Sequence, residues 1–424
     1  MARSDTALDE FDRLRLREVR AEEYHTVSTF LVEFQTIAAS LEPNERIKLV
    51  VCTYESGLEL LKTVLLDPQA NKICSLQWLY GGEEDVNSVV PHLINNCPEL
   101  ASLRAEFGNH SAFDFVSSVL EHPSAKLRVL EVPEYYEGDL ARFFTALGQS
   151  QVSAITIVDF YSPDFCQALS KYLARGLLVR LTVTMLSGQI PLEVMASLAN
   201  CTCLVELTLR GCEFFHPTAF THLPRSISNL ALEGCTFVGP VDWSFLANGS
   251  NMQKIDFDNV RGVDGNQLGS ALAVHLRAKG LDELFFYFCD FIGETLAAVG
   301  VEVGRIKRLS LGNSIVNDAS VAQIALALLS PNNEMKELRI DNWDKVSIET
   351  YLVPALRHPN CNLARLELVS FQSEREAVAG RVTGPFHNRR ALLVLLQGQQ
   401  VRRLRCPLRR LPVDLLRLVG KMLI

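Results

Sequence analysis

The residues whose types and spacing invite chemistry are Cys201, Cys203, Cys212 and His216, three thiols and an imidazole on one short stretch. Such donors suit zinc, but structural and catalytic zinc sites favour a close C-x-x-C pair answered by a second pair further on. The spacing here is C-x-C, so a structural use of these side chains is expected. The stretch "VRGVDGNQLGS", residues 260–270, is glycine-rich ahead of a helical pattern and invites phosphate binding at a helix start. It lacks both G-x-G-x-x-G and a following Lys-Ser or Lys-Thr, which reduces it to a turn. No P-loop, G-x-S-x-G, H-E-x-x-H or Cys–His spacing of a nucleophilic pair is present. The expectation is a protein that is not an enzyme and uses no cofactor and no metal.

What positions the cysteines is a repeat. "LVELTLRGCEF" (204–214) returns as "ISNLALEGCTF" (227–237), with apolar residues in the order apolar-x-x-apolar-x-apolar and a cysteine three residues beyond. The pattern begins at Ile47, Ile73, Leu100, Leu127, Val152, Leu178, Leu204, Ile227, Met252, Leu281, Ile306, Met335 and Leu363, at intervals of 23 to 29 residues. Between these strand-like pieces lie "DVNSVVPHLINNC", "PDFCQALSKYLA", "GNQLGSALAVHLRAKG", "NDASVAQIALALLS" and "IETYLVPALRH", with apolar residues three and four apart and Asp, Asn or Pro at several starts. Each unit therefore reads as strand, turn, helix, turn. A unit this small cannot bury both its faces alone, so neighbours must stack.

On these residues the chain resembles a leucine-rich-repeat protein, nearest the ribonuclease-inhibitor-like class with long helical repeats, over about residues 45–410. The resemblance implies an α/β leucine-rich-repeat solenoid, a horseshoe with a parallel β-sheet on the concave face and helices on the convex face. It also implies that Cys212, Cys235 and Cys289 hydrogen-bond the turn after each strand. Val260, Ser314, Trp343, Phe371 and Leu186 occupy that position in other units, so the repeats are degenerate.

Composition sets the frame. The chain has 424 residues, 48% hydrophobic and 21% charged, with 41 Lys and Arg against 49 Asp and Glu, an ordinary folded composition. The charged start "MARSDTALDEFDRLRLREVR" has no apolar core of a signal peptide, and no window reaches the roughly 18–20 apolar residues of a membrane span. Eleven cysteines at repeat positions make no disulfide framework, so a cytoplasmic monomer is expected and the sequons at Asn109, Asn200 and Asn248 are chance matches. Residues 1–46, with helical stretches "ALDEFDRLRLREV" and "HTVSTFLVEFQTIAASL", read as an N-terminal helical cap. Residues 47–384 form the repeat array, in which "SEREAVAGRVTGPFHNRR" is a polar insertion or loop. Residues 385–424, with nine Lys or Arg against Asp414, form a basic C-terminal repeat and capping helix. Without interleaved aromatics that tail does not suit nucleic acid.

The last residues, "LPVDLLRLVGKMLI", resemble the first helix of an F-box, with Leu411, Pro412, Asp414, Leu415, Leu416 and Val419 matching its pattern. That likeness implies an alternative role as substrate receptor of a ubiquitin ligase, with Leu411, Pro412, Leu415, Leu416 and Val419 meeting the adaptor. The repeat class implies a third role, regulation of a small GTPase. The reading favoured by the residues is a protein-interaction module. By the period-two alternation of a strand, Thr208, Arg210, Ala231, Glu233, Asp256, Asp258, Phe285, Tyr287, Ser310, Arg339 and Asp341 point out of the core onto the concave face. Glu233 beside Asp258, at a strand spacing of ~4.8 Å, sets like charges together at a cost on the order of 0.8 kcal/mol even in water. Folding does not require that. Glu233, Asp256, Asp258, Phe285, Tyr287, Arg339 and Asp341 are thus the expected contacts for a protein partner with a basic, partly apolar surface.

Overall fold

Parallel neighbouring strands demand a crossover of a dozen residues or more, which is what an interval near 26 residues supplies. The computed structural model describes residues 14–22, 26–52, 57–81, 86–107, 112–132, 139–159, 162–221, 223–247, 250–314, 316–341, 345–358, 360–371 and 377–383. It falls into two compact units, Met1–Leu207 and Thr208–Ile424. Each is an α/β solenoid of the leucine-rich-repeat type, and all thirteen strand starts read from the sequence lead into strands.

In the first unit, β1 (Arg15–Glu22), β2 (Glu45–Cys52), β3 (Ile73–Gly81), β4 (Ser102–Phe107), β5 (Val129–Val132), β6 (Ala154–Val158) and β7 (Arg180–Gln189) follow chain order, every pair parallel. The register stacks like on like: Leu76 on Leu103, Leu130 on Ile155, Ile155 on Leu181. The helices between them start on the signals the sequence offers. Asp139 accepts from the Arg142 N–H, Ser162 from that of Phe165, and Pro163 stands in the first turn where no N–H is needed. Edge-on rings join the layers: Trp78 of β3 meets Phe115 of the helix Ala112–Glu121 at 5.5 Å, and Phe113 of that helix meets Phe143 of the next helix at 4.8 Å. The N-terminal expectation needs correcting in part. Val27–Ser40 is the second expected helix, but the end of the first is β1, extending the sheet, with Val19 and Ala21 buried two apart. Pairing with the β2 edge supplies ladder hydrogen bonds that the weak helical pattern cannot outweigh.

In the second unit, β8 (Glu206–Phe214), β9 (Asn229–Glu233), β11 (Lys254–Asp258), β12 (Leu281–Tyr287), β13 (Ile306–Gly312), β14 (Glu337–Asp341) and β15 (Arg365–Phe371) lie in that order, and β10 (Thr236–Phe237) extends the pairing beside β8. The pairs from β9 to β15 are parallel in register, whereas β16 (Ala377–Thr383) runs antiparallel to β15. Part of the expected loop 373–390 is therefore a strand, in keeping with the β-branched Val378, Val382 and Thr383. The expectation of a helix in every unit also fails for the repeats beginning at Leu204 and Ile227, the first of which has the shortest interval. Among the described residues only Ser244–Ala247 is helical there, and rings fill the layer instead: Phe214 stacks on Phe237 at 4.9 Å and Phe220 on Trp243 at 5.4 Å. Further on, the helix Gly265–Lys279 packs tightly on Ile292–Val299. A Cβ at Gly269 would stand 2.5 Å from the Thr295 carbonyl oxygen and one at Gly265 2.6 Å from that of Phe291. The glycine-rich stretch thus serves helix packing, and Asp264 caps the helix by accepting from Asn266 and Gln267.

One turn geometry recurs after the strands. Gly211, Gly234, Asn259, Phe288 and Asn313 sit in the left-handed region with φ between 47° and 63°. This lets the N–H of Gly234, Asn259 and Phe288 add one more bond to the next strand, at Asp258, Tyr287 and Gly312 respectively. It also turns the following side chain inward. The Cys212 thiol donates to the Arg210 carbonyl, Cys235 to Leu209 and Cys289 to Tyr287, each at 3.2 Å. Ser314 does the same with its hydroxyl, donating to the Gly312 carbonyl and accepting from the Cys289 N–H.

Candidate functional site

Alternation along most strands of the second unit sends one set of side chains under the helices and the other to the face that carries no helix among the described residues. On β11 and β12, Ile255, Phe257, Leu284 and Phe286 are buried while Lys254, Asp256, Asp258, Glu283, Phe285 and Tyr287 are partly exposed. The register arranges this open face in three rows. The first runs Lys254, Glu283, Arg308, Glu337, Arg365. Its charges alternate and pair with one another: Lys254 with Glu283 at 3.4 Å, Arg308 with Glu283, and Arg365 with Glu337 at 3.3 Å. Three cations and two acids, largely paired with one another, leave this row little free charge.

The second row runs Ala231, Asp256, Phe285, Ser310, Arg339, and the third Glu233, Asp258, Tyr287, Gly312. Here the sequence-derived residues come together as expected, with Glu233 directly beside Asp258, Asp256 beside Phe285 and Asp258 beside Tyr287. Arg210 grips Glu233 with two hydrogen bonds, 2.7 and 3.3 Å. Among the described residues, Asp256 and Asp258 have no such ion pair, and Oδ1 of Asp256 is buried without a hydrogen bond. The electrostatics follow. Burial lifts the Asp256 carboxyl to about 6, the negative charges of Glu233 and Asp258 adding to the rise and Lys254 opposing it. Burial, then Glu233, also lifts Asp258 above the usual carboxylate range.

Lys254 and Gly312 on this face, and Phe288 at its strand-end edge, escaped the sequence reading. Lys254 holds its ammonium 5.3 Å from the centre of the Phe285 ring, showing that the ring face accepts a cation. Ser310 meets the Tyr287 hydroxyl at 3.2 Å. Gly312 leaves the slot in which the Tyr287 ring lies, since a Cβ there would overlap that ring. A glycine at an outward strand position was the available signal. Phe288 is 59% exposed at the end of β12, and no spacing rule points to it.

Other expected residues are placed differently. Asp341 is fully buried: it lies at the end of β14 beneath the Arg339 guanidinium, which binds both its oxygens at 3.0 and 3.1 Å. It is not an open contact, and Arg339, whose own pKa is raised chiefly by that bond, has its charge committed. Thr208 and Ser310 are also buried, at 7% and 5% exposure. The Cys201 thiol donates to the Leu173 carbonyl at 2.9 Å, and no cluster of three potential metal ligands occurs among the described residues. No helix among them is long and apolar enough to cross a membrane. The F-box-like residues Leu411, Pro412, Leu415, Leu416 and Val419, and the basic tail, lie outside the described residues.

No family model matches the sequence, and no curated protein matches it. Among solved structures the chain is similar to the internalin InlF of Listeria monocytogenes, at 14% identity over 73% of this chain and 87% of that one, with a TM-score of 0.36. It is also similar to a chain of the mouse RP105/MD-1 complex, at 11% identity over 70% of this chain and 65% of that one, with a TM-score of 0.26. The fold class rests on the strand register and turn geometry described above.

Proposed function

We propose that this protein is a binding module whose open sheet face in the second unit receives a protein partner with a basic, partly apolar surface. One observation carries the reading: Asp256 and Asp258, which form no ion pair among the described residues, each stand in register beside an aromatic ring, Phe285 and Tyr287, and the first of these rings already holds the Lys254 ammonium. A Lys or Arg side chain laid there meets a carboxylate and a ring face at once, a combination worth about 0.5–2 kcal/mol for the ring contribution alone. Exposed aromatics flanked by charge are the usual anchors of protein interfaces. Strand order and turn chemistry explain the buried face fully and leave this row of acids and rings unexplained.

The test uses a fluorescent peptide of alternating Arg and Leu, with a Glu–Leu peptide as control, and anisotropy as readout. The wild type should bind the basic peptide, more weakly as salt rises. Reversing Glu233, Asp256 and Asp258 to Lys in one variant, and truncating Phe285 and Tyr287 to Ala in another, should each lower affinity by roughly tenfold or more. Asp114→Asn with Asp164→Asn, which changes charge in the first unit, should leave it unchanged. Equal affinity in both site variants removes this face from consideration.

A further inference from the structure

Five turns at the strand ends of the second unit share one left-handed position, and four of the five residues there are Gly211, Gly234, Asn259 and Asn313. Glycine and asparagine enter that region readily, whereas a bulky aromatic does so only under strain. Phe288 is the fifth, at φ 52°. The backbone explains the conformation, because the Phe288 N–H donates to the Gly312 carbonyl at 3.1 Å just as Asn259 donates to Tyr287 at 2.7 Å. It does not explain the ring. Packing does not explain it either, since the residue is 59% exposed. A strained residue whose side chain serves neither turn nor core marks a functional contact. Its neighbours say which one: Tyr287 precedes it, and the Asp256–Phe285 and Asp258–Tyr287 pairs lie on β11 and on its own strand β12.

We propose that Phe288 is an interface anchor, its ring seated in an apolar recess of the basic partner, so that the contact wraps from the sheet face over the strand-end edge of β12. This rests on the acidic face being the partner's seat, and it assigns the apolar half of the recognition to a residue outside that face. A turn residue predicts one sign of effect on stability and binding, and an anchor predicts opposite signs.

Phe288→Asn separates them. As an anchor, Phe288 gives a variant that melts about 2–4 °C higher, the strain being relieved, yet binds the Arg–Leu peptide roughly fivefold more weakly. Affinity for an Arg–Ser peptide should not change. Phe288→Leu, which keeps an apolar side chain, should retain most of the Arg–Leu affinity. Asp256→Asn with Asp258→Asn should weaken both peptides. A lower melting temperature in Phe288→Asn, or unchanged Arg–Leu affinity while the double Asp variant still weakens it, overturns the anchor role alone. A wild type that binds neither basic peptide overturns the acidic seat, and the anchor with it.

Discussion

Asp256 is where the physical argument is sharpest at the scale of a single residue. A carboxyl in an unfolded chain titrates near 3.9, and burial lifts this one to about 6. Because the folded pKa is the higher, the protonated form favours the folded state. That contribution is complete below about pH 4 and is lost as pH rises through about 6. Replacing Asp256 with Asn should therefore stabilise the protein at pH 7.5, by on the order of 1 kcal/mol once solvent screening of this partly exposed group is allowed for, and should have little effect near pH 4. Thermal unfolding at both pH values checks this, and a lower melting temperature at pH 7.5 would show that the ionised carboxylate is stabilising instead. The like-charge neighbours Glu233 and Asp258 were legible from the repeat spacing because strand register follows the apolar positions. The burial of Asp341 was not, since it depends on where one guanidinium chooses to lie, and pattern carries no such information. That Tyr287 stands beside Gly312 was legible from the same spacing, but that its ring lies over the glycine was not, since spacing fixes neighbours and not the rotamer.

Among elements, the thirteen repeat strands were legible because apolar-x-x-apolar-x-apolar must bury three side chains beside the same three of the next unit. The helices over Pro163–Leu173, Gly265–Lys279 and Asp318–Leu329 were equally so, through three-and-four spacing and a capping Ser162, Asp264 or Asn317. The misreadings share a cause. β1 and β16 exist because an edge of the sheet was available to pair with, and the helix-poor repeats exist because Phe220, Phe237 and Trp243 fill the volume a helix would. Both depend on neighbours rather than on local sequence. The glycine-rich stretch looked like a turn and is also a packing surface. Gly269→Ala should lose about 1–3 kcal/mol by forcing a methyl against the Thr295 carbonyl, measured by chemical denaturation. An unchanged midpoint would mean that the two helices separate freely.

At the scale of the whole molecule, the proposed function puts recognition on the sheet face of the second unit opposite the one that holds the apolar core. The helix-covered face is apolar and closed. The open face divides again, into a row of alternating, mutually paired charges and rows of acids and rings to which the proposal assigns the partner. A chain with a formal net charge of −8 attracts any cation weakly and at long range, so affinity alone does not locate a site. Location does. The most direct measurement replaces one Leu of the Arg–Leu peptide with photo-leucine, cross-links it to the wild-type protein, and maps the adducts by mass spectrometry. The account predicts adducts on the segments holding Asp256–Asp258 and Phe285–Phe288, lost when Asp256 and Asp258 are both Asn. Adducts confined to the helix Gly265–Lys279 or to the first unit would contradict it.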